Sequence, residues 1–237
     1  RFGVIPNMPR YLAMSLGAGE TTVLRMAAGY ASFVNGGREV APTLIDTVQD
    51  HRGRLIWRSD VRRCAGCDAA SPAAGPPELV GERRLVTDPI AAYQMVNLLT
   101  GVVQRGTGTR AGEGLGRPIA GKTGTTDDYK DAWFVGFTPD IVAAVWIGFN
   151  EPRSLRDVTG GRLAAPIFRE VLAAALRDSP AVPFRAPPGV ALVRTQLDGG
   201  GTILEAFRPG TENAARAPGG GGAAAAAGLD RGIGGLY

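Results

Sequence analysis

The sequence predicts an α+β fold, an antiparallel sheet flanked by helices. Two observations predict it. Two segments of strong helical periodicity precede three closely spaced strand candidates, and a third helical segment follows them. The strand candidates are joined by TTDDYKD and TPD, too short for a parallel crossover, so neighbouring strands must run antiparallel.

The elements follow in chain order. Glu20–Gly37 (ETTVLRMAAGYASFVNGG) reads as a helix: Thr21 or Thr22 can cap it, Val23, Leu24, Ala27, Tyr30, Ala31 and Val34 recur at helical spacing, and Gly36 stops it. Arg38–Asp60 reads as a hairpin of two β-rich runs around a polar turn at Asp50–Gly53. Cys64–Pro77 reads as loop. Thr87–Gly106 reads as a second helix, capped by Asp88, with Pro89 at its first position and Gly106 at its end. Gly106–Gly116 is Gly-rich and reads as irregular. The three strand candidates are Pro118–Thr125, Ala132–Phe137 and Ile141–Phe149. Arg162–Asp178 is a third helix, with Pro166 tolerable in its first turn. From Ser179 onward Pro and Gly dominate, with short strands expected only near Val190 and Ile203. Ala217–Tyr237 is low in complexity and reads as a disordered tail.

Composition bounds the function. The 237 residues suffice for one large domain or two small ones, and 44% hydrophobic with 20% charged residues is ordinary for a globular protein. A formal charge of +4 without a basic, aromatic-interleaved run gives no nucleic-acid footprint. The chain starts at Arg1 and shows neither a leader sequence nor an apolar run long enough to span a bilayer. Cys64 and Cys67, in CAGC, supply half of a zinc site at most, and although the lone histidine, His51, is nearby in sequence, no fourth ligand stands out. They read as a loop staple or two free thiols. No metal and no cofactor is expected.

GRPIAGKTGT, Gly116–Thr125, raises the main question. It satisfies the phosphate-loop pattern through Gly116, Gly121, Lys122 and Thr123. A phosphate loop needs a strand before it and a helix after it, whose N-terminal N–H groups hold the phosphates. Here GTGTRAGEGL precedes and GTTDDYKDAWFVGF follows, a turn running into a strand. Pro118 removes a backbone donor, and Asp127 and Asp128 place negative charge where a phosphate would sit. The alternative puts Lys-Thr-Gly on a strand facing a cleft. Alternation then sends Lys122 and Gly124 one way, Thr123 and Thr125 the other. Lys122 offers a positive charge, Thr125 a hydroxyl and an edge N–H, and Gly124 an unobstructed strand face. On the motif alone, these residues equally fit a surface strand with a solvated lysine.

The surroundings favour the cleft. Ala120–Phe149 (AGKTGTTDDYKDAWFVGFTPDIVAAVWIGF) resembles the third-motif region of penicillin-binding proteins, specifically the class A, bifunctional ones. Ser15–Gly37 and Ala92–Ala111 (AYQMVNLLTGVVQRGTGTRA) resemble that family's preceding helices and Gly-Thr-Gly turn. Gly160–Leu172 and Glu205–Glu212 resemble its closing helix and tail. The resemblance spans Phe2 to Glu212. It departs in two places that matter: no serine has a lysine three residues on, and the Ser-x-Asn motif is absent, SFVN having one residue too many. Smaller departures are Val23 and Arg25, where the family often has Pro and Glu, and Asn150, where Asp is usual. The chain is therefore expected to be the C-terminal part of a transpeptidase domain, over 1–178, with an extension at 179–212 and a tail at 213–237.

The resemblance implies serine acyl transfer on peptidoglycan stem peptides, with β-lactam antibiotics as mimics that trap the serine. Lys122, Thr123, Gly124 and Thr125 are the residues carried over as substrate-binding, Lys122 and Thr125 also as catalytic. Lys122 supplies charge, Thr123 and Thr125 hydrogen-bond the substrate carboxylate, and the Thr125 N–H donates to the oxyanion. Asp131, Trp133 and Phe134 match the family as structural residues, and the Gly106–Gly112 loop is a candidate to shape the cleft. A parent protein with a glycosyltransferase domain and a membrane anchor, at the periplasmic face of the bacterial inner membrane, is also implied. A β-lactamase, a D,D-carboxypeptidase or a non-catalytic fragment of the same fold are the competing readings.

Overall fold

The computed structural model describes residues 1–65, 78–81, 83–197 and 200–212. Cys67, most of the expected Cys64–Pro77 loop and the tail at 213–237 lie outside the described residues. The centre is a three-stranded antiparallel sheet of β5 (Ala120–Thr125), β6 (Asp131–Phe137) and β7 (Val142–Gly148), in that order. Helices α1 (Val23–Val34) and α2 (Pro89–Arg105) pack on one face, and α4 (Ala165–Ala175) on the other. This is the expected α+β architecture.

The helix ends follow local chemistry. The Thr22 hydroxyl accepts from Arg25 N at the start of α1, and Asp88 Oδ1 accepts from Ala91 N at the start of α2. Each satisfies an N–H that has no partner within its helix. A 3₁₀ turn at Leu12–Leu16 precedes α1. Three expectations need correction. The segment after α2 is not wholly irregular, because Thr109–Gly112 forms a short helix, α3. The third helix starts with a π-helical turn, Gly160–Ala164, and α4 ends at Ala175. Cys64 lies not in loop but in strand β3 (Arg63–Ala65), which pairs with β4 (Glu78–Val80). It is disulfide-bonded, which excludes a free thiol there.

Alternation along the sheet sorts the core into two layers. Phe134 points toward α4, where its ring meets Phe168 at 4.8 Å, and both rings are fully buried. Gly121 and Gly136 flank Phe134 on that face. A Cβ on either would come within 2.7–2.8 Å of the Phe134 ring, so glycine makes room for the aromatic layer. Phe137 points the other way, against Tyr30 of α1 and Phe184. Burial there pushes the Tyr30 phenol pKa up.

Two hairpins complete the description. β1 (Thr47–Gln49) and β2 (Leu55–Arg58) form a surface hairpin at the expected place, exposed on both faces. β8 (Ala191–Gln196) and β9 (Thr202–Phe207) pair as a hairpin that packs on α2 through β9. There Gln94 Nε2 and Asn97 Nδ2, one turn apart, donate to the carbonyls of Ala206 and Leu204 at 3.0 and 2.9 Å. Among the described residues no helix is long and apolar enough to cross a membrane.

Candidate active site

Lys122–Thr125 lies on β5, the edge strand of the central sheet. The strand runs through Thr125 and gives way to a 3₁₀ turn at Asp127–Tyr129, so no helix opens behind Thr123. The geometry of a phosphate loop is absent.

Register decides what the edge presents. Thr126 N donates to Asp131 O at 3.1 Å, which makes that pair a hydrogen-bonded one. Antiparallel ladders alternate, so Gly124↔Trp133 and Lys122↔Val135 are hydrogen-bonded pairs as well. Thr123↔Phe134 and Thr125↔Ala132 are the non-bonded pairs between them. The backbone groups of Thr123 and Thr125 therefore point away from β6, to the outer edge. The Thr123 carbonyl on this edge accepts from Lys122 Nζ at 2.9 Å, so the lysine amine lies along the strand's outer side.

The side chains divide as alternation requires. Thr123 and Thr125 share the α4 face with their cross-strand partners Phe134 and Ala132, while Lys122 and Gly124 share the opposite face with Val135 and Trp133. Gly124 lies close to Trp133, whose Cβ would be 3.1 Å from an added Cβ. The two threonine hydroxyls are engaged from outside the motif. Thr123 Oγ1 is 2.7 Å from Thr107 Oγ1, and Thr125 Oγ1 accepts from Gly160 N at 3.2 Å.

The strand is braced at its open end. Asp131 Oδ1 accepts from Trp146 Nε1 at 2.6 Å, and its N–H donates to Thr126 Oγ1 at 2.8 Å. The indole rings of Trp133 and Trp146 lie 6.4 Å apart beside it. Asp128 and Tyr129 hold the β5–β6 turn with φ of 57° and 54°, a left-handed conformation that aspartate tolerates and a bulky tyrosine seldom adopts. Tyr129 O accepts from Leu155 N at 2.8 Å and helps hold it. Among the described residues no group of three or more His, Cys, Asp or Glu is placed to hold a metal ion.

Sequence reasoning placed the Gly106–Gly112 loop at the cleft without singling out Thr107, and it missed Gly160 as a neighbour of the motif. The available signals were glycines. Gly106 and Gly108 flank Thr107, and Gly160–Gly161 stand where a helix begins, which suggests close backbone approach.

The family model for the penicillin binding protein transpeptidase domain matches residues 10–173. The chain belongs to this family. Penicillin-binding protein 1A of Rickettsia conorii is 37% identical over 220 residues, 88% of this chain and 27% of that protein. Penicillin-binding protein 1A of Neisseria flavescens is 45% identical over 193 residues, 80% of this chain and 22% of that protein. The crystal structure of Penicillin-Binding Protein 1A from Haemophilus influenzae superposes with a TM-score of 0.69 at 28% identity, covering 84% of this chain and 34% of that one. The PonA1 protein of Mycobacterium tuberculosis, solved in complex with penicillin V, shares the fold with a TM-score of 0.57 at 23% identity, covering 73% of this chain and 43% of that one. The chain thus spans about a quarter of the length of the curated relatives it matches.

Proposed function

We propose that this chain is the C-terminal part of a D,D-transpeptidase domain, belonging to a bifunctional protein that builds and cross-links peptidoglycan. The observation that carries the reading is the Lys-Thr-Gly-Thr edge strand. The edge N–H of Thr125 and two hydroxyls on one face are grouped within four residues. In the reaction, a serine outside this chain adds to the penultimate D-alanine carbonyl of a stem peptide. The tetrahedral oxyanion collapses and expels D-alanine, whose amine takes up a proton. An amine on a neighbouring strand then attacks the serine ester, forms the cross-link and releases the serine.

Thr123 and Thr125 hydrogen-bond the terminal carboxylate of the stem peptide. The Thr125 N–H donates to the oxyanion, a type of contact worth roughly a hundred- to a thousandfold in rate in other acyl-transfer enzymes. Lys122 adds positive charge to the same edge, and Gly124 leaves its other face unobstructed. β-Lactams present a carbonyl and a carboxylate in a comparable arrangement and stop at the acyl-enzyme. Residues 1–178 make up the transpeptidase part and 179–212 an extension. The complete protein carries a glycosyltransferase domain and a membrane anchor and works at the periplasmic face of the inner membrane. The match to proteins named penicillin-binding protein 1A favours cross-linking over a β-lactamase or carboxypeptidase role.

Fluorescent penicillin tests the reading. The complete polypeptide takes up one label, and the 237-residue chain takes up none, because no serine in it has a lysine three residues on to activate it. A stoichiometric adduct on one of the chain's own serines overturns the assignment, as does a complete polypeptide that is never labelled.

A further inference from the structure

The two hydroxyls of the motif have partners that leave them with a definite polarity. A hydroxyl has one hydrogen to donate and two lone pairs to accept with. Thr125 Oγ1 already accepts from the Gly160 N–H, so its hydrogen is free for another acceptor. Thr123 Oγ1 forms a hydroxyl–hydroxyl pair with Thr107 Oγ1 in which either oxygen can donate. A carboxylate only accepts. Thr123 can serve it only when Thr107 is the donor in the pair, and the pair is then polarised in one direction.

The surroundings of Thr107 are built to close tolerance. The N–H groups of Gly106 and Gly108 both donate to Val102 O, at 3.1 and 3.0 Å, and hold Thr107 at the C-terminal end of α2. A Cβ on Gly106 would lie 3.0 Å from the Val102 backbone, and one on Gly108 3.1 Å from the Phe134 ring. On the other side, a Cβ on Gly161 would lie 2.4 Å from Thr107 O. One on Gly160 would lie 2.0 Å from Trp133 O and 2.6 Å from Gly124 O. The Gly-Thr-Gly turn and the Gly160–Gly161 turn thus meet each other beside the two threonines of β5. Thr123 and Thr125 stand two residues apart, ~6.7 Å along a strand, a span that one carboxylate can bridge with an oxygen toward each.

We propose that Thr107 and the Gly160 N–H together set the Thr123 and Thr125 hydroxyls as a pair of donors, making Thr107 a positioning residue that selects substrates ending in a free carboxylate. The assignment rests on the transpeptidase reading above. The two threonines touch the substrate, and Thr107 acts through Thr123. A neutral ester or amide in place of the carboxylate forfeits much of the advantage of two aligned donors.

The test compares second-order acylation of the complete polypeptide by a penicillin and by its carboxyl methyl ester. Thr107→Val keeps the shape and removes the hydroxyl. It lowers the acid-to-ester rate ratio by roughly three- to tenfold, the size of one neutral hydrogen bond. Thr107→Ser restores the ratio. Thr107→Ala serves in place of the valine variant if thermal melting shows that variant unfolded. A merely structural role slows acid and ester together, and an unchanged ratio in the hydroxyl-free variant overturns the proposal while leaving the transpeptidase reading intact. A wild type that neither compound acylates overturns both.

Discussion

Thr125 combines two contributions that a substitution can separate. Its backbone N–H points to the open edge of β5, and its hydroxyl stands between the Gly160 N–H and the proposed carboxylate. Thr125→Ala removes the hydroxyl and keeps the N–H. It should weaken the proposed carboxylate recognition and leave the proposed oxyanion donor in place. A hydrogen bond to a charged group is worth about 1.5–3 kcal/mol, which is roughly a ten- to a hundredfold loss in acylation by a β-lactam acid. Stopped-flow acylation of the complete polypeptide measures it, and a change below about twofold counts against the carboxylate role. The position of Lys122–Thr125 on a strand is legible in the sequence, because Gly-rich residues lead into it and a polar turn follows. The contacts to Thr107 and Gly160 are not. They join positions 16 and 35 residues away, and no local periodicity encodes a pairing at that separation.

At the scale of elements, the long helices and the central hairpins are legible because their ends carry their own chemistry. Asp88 is the clearest case. Its carboxylate caps α2 at Ala91 N and also pairs with Arg208 Nη2 at 2.8 Å, tying the segment after β9 to the start of α2. The cap follows from sequence, but the ion pair, 120 residues away, does not. Asp88→Ala should lower stability by about 1–2 kcal/mol, nearly all of it from the cap, since exposed ion pairs contribute little. Urea unfolding of the chain measures the loss, and an unchanged midpoint contradicts the capping account. Asp88→Asn should recover most of it, because an asparagine oxygen caps as well. The helix α3 and the π-helical start of the last helix escape a sequence reading for a different reason. Thr109 and Gly112 have weak helical preference, and four residues are too few to show a helical period. Their conformation follows from packing, with Ala111 fully buried against the Phe134–Phe168 layer.

Across the whole molecule, the fold brings three parts of the chain distant in sequence onto one strand edge. The Gly106–Gly108 turn ends α2, the motif lies on β5, and the Gly160–Gly161 turn begins the last helical segment. Helices on both faces of a small antiparallel sheet hold these parts in register, and the paired glycines let backbones meet where side chains would keep them apart. The chain covers about a quarter of its relatives' length, so the proposed reaction is one for the complete polypeptide, and the central claim concerns what this edge does there. Lys122→Ala tests it most directly, with folding checked by circular dichroism. The lysine supplies charge that no other residue of the motif carries, and a planar guanidinium does not replace a compact ammonium, so Lys122→Arg should recover only part of the loss. The second-order rate of acylation by a β-lactam should fall further for Lys122→Ala than for Thr125→Ala. A folded Lys122→Ala protein that acylates as fast as wild type would make Lys-Thr-Gly a solvated surface strand and contradict the account.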